Sequence, residues 1–142
     1  MIIAVDFDGT IVEHKYPSIG KEKPFAVETL RQLSSEGHKV ILWTVRHGET
    51  LDQALEWCAK RGLRFYAVNS NYPAGSLFEA GAASSRKIEA DVFIDDHNLG
   101  GLPDWGEIYQ MINDAHEKRH RRRGHAPAGS GNSSVREDLF GK

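Results

Sequence analysis

The chain has 142 residues, with 18 Lys and Arg against 20 Asp and Glu and a net charge of -2. This is room for one domain with a hydrophobic core, without the overall positive charge that draws a protein to nucleic acid. A single cysteine, Cys58, excludes an intrachain disulfide, and no apolar run has the length of a signal core or membrane span, so a soluble cytoplasmic protein with no membrane partner is expected.

Ile2-Ile3-Ala4-Val5 is an unbroken apolar run ending in acids, the pattern of a strand buried on both faces of a parallel sheet. Pro24 opens a helical pattern that continues through Leu30 and Leu33 and stops at Gly37. Val40-Ile41-Leu42-Trp43 repeats the strand pattern and ends at Thr44. Leu51, Leu55 and Cys58 form an apolar stripe at helical spacing, closed by Gly62. Phe65-Tyr66-Ala67-Val68 predicts a third strand, ending at Asn69. Residues 69–86 lack periodicity and read as a long functional loop. Val92-Phe93-Ile94 predicts a fourth strand that runs into Asp95 and Asp96, and a last helix is expected from Trp105 to about Arg119 with Ile108, Met111 and Ile112 inward. From Gly124 onward Gly, Ser, Pro and Asn dominate, as in a flexible tail, with a short charged and apolar motif at Val135 to Phe140.

Strands alternating with helices predict α/β architecture. The expected fold is a single Rossmann-like domain over residues 1–123, a three-layer sandwich with a mostly parallel sheet of four or five strands, followed by a tail over 124–142. Only residues 102–105 are available for a fifth strand.

In an open parallel sheet, ligands bind beyond the carboxyl ends of the strands. Asp6, Asp8, Thr44, Asp95 and Asp96 all fall there, and Lys87 lies just before the last strand. Carboxylates gathered in this way repel one another unless a cation sits among them, and all-oxygen ligands suit a hard ion, magnesium above all. A lysine and a threonine hydroxyl suit an anion with several oxygens, so a metal together with a phosphate accounts for the whole set.

Asp6-Phe7-Asp8-Gly9-Thr10 resembles DxDGT, the first motif of the haloacid dehalogenase superfamily of phosphohydrolases. Thr44 resembles the second motif, Lys87 the third, with Arg86 as its neighbouring alternative, and Asp95-Asp96 the fourth; the motifs come in the family's order and span residues 1–101. The resemblance implies a haloacid-dehalogenase-like fold and a magnesium-dependent phosphomonoester phosphatase. Asp6 would be the nucleophile that forms an aspartyl phosphate, and Asp8 the general acid and base. Magnesium would bind Asp6, the main-chain carbonyl of Asp8 and Asp95, with Asp96 acting through water or orienting Lys87. Thr44 and Lys87 would hold the transferring oxygens, and Arg46 would contact the substrate's leaving group.

The segments between motifs are too short for a large cap domain, which implies an open site for a macromolecular substrate or for a small phosphate covered by a neighbouring subunit of a homo-oligomer. His14, Lys15 and Tyr16 fall where a flap would lie. His116-Glu117-Lys118-Arg119-His120 matches the zinc-protease pattern HExxH, but Lys118, Arg119, Arg121, Arg122 and Arg123 surround it with positive charge and no obvious third ligand follows. Those same basic residues make nucleic acid a candidate partner. Two other readings compete: a phosphate- or nucleic-acid-binding module with an inactive core, and a phosphoacceptor receiver domain, whose phosphorylated acid would follow the third strand, where Asn69 stands here.

Overall fold

Each of the four apolar runs contributes a strand in the computed structural model, which describes residues 1–81 and 85–124. The order along the chain is β1 (Ile2–Val5), α1 (Ala26–Ser35), β2 (Lys39–Leu42), α2 (Gly48–Lys60), β3 (Ala67–Val68), α3 (Leu77–Gly81), β4 (Val92–Ile94) and α4 (Trp105–Gly124). The strands form one sheet in the order β3-β2-β1-β4, and every neighbouring pair is parallel. The chain steps outward from β1 to β2 to β3, then returns past β1 to β4. The order therefore reverses between β1 and β4, where an open α/β sheet places its ligand crevice.

Right-handed crossovers put the two outward connections on one face and the return connection on the other. Ile3, Val5, Val40, Leu42 and Ile94 point to the first face and pack with Leu30 and Leu33 of α1, Ala54 and Cys58 of α2, and Trp105, Ile108 and Ile112 of α4. Ala4, Ile41 and Ala67 point to the opposite face, where Ile88 packs on them. Ile88 lies in the connection between β3 and β4 and gives this face its thin cover. The expected three-layer α/β fold is thus present, with four strands among the described residues.

Several boundaries differ from expectation. Phe65 and Tyr66 precede β3 rather than form it, although the Tyr66 amide still donates to the Val40 carbonyl at 2.8 Å. One helical turn, α3, lies in the segment read as a loop. Met111 is 59% exposed, because Ile108 and Ile112, one turn apart, already supply the buried stripe of α4. Residues 102–104 lead into α4 instead of forming a strand, and the Asp104 carboxylate caps that helix by accepting the Glu107 amide at 2.9 Å. Gly124, placed by composition at the start of a tail, is the last residue of α4; the rest of that tail lies outside the described residues. No helix among the described residues is long and apolar enough to cross a membrane.

Candidate active site

The sheet register brings the acids together. Val5 pairs with Ile94, and the Asp6 amide donates to the Ile94 carbonyl at 2.9 Å, so Asp6 and Asp95 leave neighbouring strands side by side. On the other flank the Trp43 amide donates to the Val5 carbonyl at 2.8 Å, which sets Thr44 one step beyond.

The loop after Asp6 is wound tightly about the Phe7 carbonyl, which accepts the amides of Thr10, Ile11 and Val12 at 3.2, 3.0 and 3.3 Å. Gly9 has φ +83°, and a Cβ there would stand 2.3 Å from Asp96 Oδ2, so this turn is open only to glycine. Thr10 is fully buried and acts as the hub. Its Oγ1 lies 3.2 Å from Asp6 Oδ2 and 3.3 Å from Asp96 Oδ1, and it accepts the Asp96 amide at 3.1 Å. A hydroxyl carries one proton, so Thr10 serves one carboxylate at a time. The indole of Trp105 clamps the hub from below, donating to the Thr10 carbonyl at 3.2 Å.

Asp6 is pushed up from the ordinary 3.8 to about 7, chiefly by burial, then by the charge of Asp95 and to a lesser degree that of Asp96. The Phe7 amide and the Thr10 hydroxyl act in the opposite direction but do not offset this. Such a cluster is at its most unfavourable without a cation, and its donors are the hard oxygens magnesium requires. Asp95, Asp96 and His97 also bring ligand atoms within 4.8 Å of one another, and no second group of this kind occurs among the described residues. Sequence reasoning did not single out Thr10 or His97. Thr10 lay inside the quoted motif, but nothing local tells that its partner is Asp96.

Asp8 is not in this cluster. Its carboxylate turns to Arg46, accepting Nε at 2.7 Å on Oδ2 and Nη2 at 2.8 Å on Oδ1. Arg46 was expected to contact a leaving group; instead it is only 1% exposed. All five of its N–H groups are spoken for: two by Asp8, two by the carbonyls of Pro17 and Thr50 at 3.2 Å, and one by the Ser18 carbonyl at 2.8 Å. The substrate-binding role expected of Arg46 is therefore corrected: its planar fork ties Asp8, the 13–20 loop and the start of α2 together. Tyr16 covers it from outside, 46% exposed with the guanidinium 5.1 Å from its ring centre. For the metal role assigned to Asp8, only the main-chain carbonyl remains uncommitted to Arg46.

Thr44 and Lys87 face a neighbouring cavity of about 950 Å³, lined also by Trp43, Tyr66, Asn69 and Arg86 but by none of the four acids. The structure thus unites Asp6, Asp95 and Asp96, pairs Asp8 with Arg46, and sets Thr44 and Lys87 around an adjoining hollow. Asn69 fixes Thr44: its Oδ1 accepts the Thr44 amide at 2.8 Å and its Nδ2 donates to the Thr44 carbonyl at 2.9 Å. Asn69 does so from the left-handed region, at φ 50°, which Asn tolerates better than most residues. On α4, His116 and His120 share a face with Nε2 atoms 3.1 Å apart, and the last turn presents Arg121, Arg122 and Arg123.

No family model matches the chain, and no curated protein matches it. Among solved structures, a conserved protein from Bacteroides thetaiotaomicron is 62% identical, with 80% of this chain and 90% of that chain covered and a TM-score of 0.74. The chain belongs to the family of that protein. The likeness extends over nine-tenths of the Bacteroides relative, so the α/β sheet and its helices are a shared fold rather than a feature of one chain.

Proposed function

We propose that the chain is a magnesium-dependent phosphohydrolase of the haloacid dehalogenase type, acting through a phosphoryl intermediate on Asp6. The observation that carries this reading is the convergence of Asp6 and Asp96 on Thr10, with Asp95 close enough to Asp6 to act on it by charge, at the point where strand order reverses. The four motifs occur in order in the sequence, and Asp6 of the first meets the two acids of the fourth in space.

Asp6, Asp95 and Asp96, with the Asp8 main-chain carbonyl, would hold the magnesium, and His97 lies next to this set. When bound, the ion supplies positive charge that offsets the carboxylates and aligns a phosphoryl group. The chain's own part is positional. Thr10 orients the Asp6 carboxylate, Gly9 lets the loop approach Asp96, and Asn69 holds Thr44 at the strand end beside the cluster. Thr44, Lys87 and Arg86 offer hydroxyl and cationic groups to phosphate oxygens. The acid and base role that the resemblance gives Asp8 requires its pair with Arg46 to open.

A receiver reading needs a phosphoacceptor acid after β3, and Asn69 there is committed to Thr44. The test is turnover of p-nitrophenyl phosphate with magnesium. Wild type should release phosphate over many cycles, and Asp6→Asn should not. Equal turnover by the two would remove Asp6 as nucleophile.

A further inference from the structure

We infer that His116 and His120, with His38 beside them, form a second metal site at the end of the sheet opposite the acid cluster. It suits a dication that prefers imidazole nitrogen, in the class of zinc, nickel and copper. The inference does not depend on the reading of Asp6 as nucleophile.

The two histidines stand one turn apart on α4 and meet, with Nε2 atoms 3.1 Å apart and ring centres 4.4 Å apart. A metal held at about 2.0–2.1 Å by two imidazole nitrogens sets those nitrogens about 2.9–3.4 Å apart, as the angle runs from square to tetrahedral. The observed separation falls in that range with neither ring moved. The third imidazole precedes the HExxH pattern in the chain instead of following it. His38, in the turn between α1 and β2, is only 7% exposed and stands perpendicular to His116, with ring centres 5.1 Å apart. Its Nδ1 lies 2.9 Å from the Met1 amino group, which fixes the ring. The three residues do not all bring ligand atoms within 4.8 Å of one another. His116 and His120 are therefore the chelating pair, and His38 reaches the ion through one of its waters.

The charge around the pair is milder than the run of basic residues suggests. Arg119 is paired with Asp91, and Arg121 lies 4.0 Å from Glu117. The Glu36 carboxylate, which accepts from the Tyr109 hydroxyl and the Gln32 amide, acts by charge on both His38 and His116. Imidazole nitrogens favour these borderline dications, whereas magnesium takes hard oxygens, so the two ends of the sheet sort metals by ligand chemistry. A bound ion would tie the basic end of α4 to the turn between α1 and β2.

The test is calorimetric titration of zinc chloride into the full chain at neutral pH, with saturating magnesium to occupy the acid cluster. One zinc per chain is expected. Loss of an outer partner of a metal site costs about 10–100-fold in affinity, so loss of a ligand in His120→Ala or His116→Ala should weaken the zinc at least about tenfold. Both side chains lie toward the surface of α4, so these variants should fold. Asp95→Asn, which alters only the acid cluster, should keep the zinc, and zinc should raise the melting temperature of that variant but not of Asp95→Asn combined with His120→Ala. Absence of saturable zinc binding, or binding that His116→Ala and His120→Ala leave unchanged, would overturn the inference. Zinc lost with Asp95→Asn and kept with His120→Ala would place the ion among the acids and overturn it equally. None of these outcomes bears on Asp6, whose role is read from phosphate release.

Discussion

Removing the charge of Asp6 should make the metal-free protein more stable, although it destroys the proposed nucleophile. Burial and the charge of Asp95 hold the folded Asp6 at about 7 against an ordinary 3.8. A carboxyl raised in this way favours the folded state fully below its unfolded value, and that contribution is lost as pH rises through 7. The displacement corresponds to about 4 kcal/mol at most. Asp6 is only partly buried, and solvent screening reduces the expected penalty to about 2 kcal/mol. Asp6→Asn keeps an oxygen for the Thr10 hydroxyl and carries no charge. In EDTA its advantage over wild type should grow from about pH 4, level off above pH 7, and raise the melting temperature by roughly 6–10 °C there. Magnesium should then reverse the order, raising the wild type and leaving the variant nearly unmoved. Melting curves by circular dichroism from pH 4 to 8, with and without magnesium, make the measurement. An Asp6→Asn protein that is no more stable than wild type at pH 8 in EDTA would refute the electrostatic reasoning.

Other consequences follow from single contacts. Gly9→Ala forces an L-residue to φ +83° and a Cβ to 2.3 Å from Asp96 Oδ2, so urea denaturation should show a loss of about 2 kcal/mol or more, together with weaker magnesium binding. Arg46→Met leaves the largely buried Asp8 carboxylate without its partner and should cost about 3–5 kcal/mol by the same assay; a loss under about 1 kcal/mol would mean the pair contributes no more than an exposed one. Trp105→Phe keeps an aromatic ring but removes the N–H that donates to the Thr10 carbonyl and leaves a gap in the core, and should cost about 2 kcal/mol or more by thermal melting. Cys58 is buried and its thiol is pushed up to about 12 by desolvation, so a disulfide reagent at pH 8 should react with it only as fast as the protein unfolds, and at once in urea.

The strands and the acids at their ends were legible because both signals are local. An apolar run such as Ile2–Val5 or Val92–Ile94 can be read without knowing its neighbours, and an acid directly after it must stand at the sheet's edge. The wiring of the site was not legible, because it joins distant positions. Asp8 meets Arg46 across 38 residues and Thr10 meets Asp96 across 86, and no spacing rule couples such pairs. Arg46 illustrates the difficulty: an arginine in a polar stretch after a strand looks solvated or substrate-facing, yet three main-chain carbonyls and one carboxylate hold it in the interior. The turn of α3 was missed for a different reason, since Leu77 and Phe78 are exposed and a helix without a buried stripe leaves no periodic trace.

The fate of Asp6 during turnover decides the proposed mechanism most directly. Wild-type protein mixed with magnesium and acetyl phosphate, quenched in acid within milliseconds and digested, should yield the peptide containing Asp6 with one added phosphoryl group that hydroxylamine removes. Steady phosphate release with that peptide unmodified, or with the phosphoryl group on another residue, would contradict it.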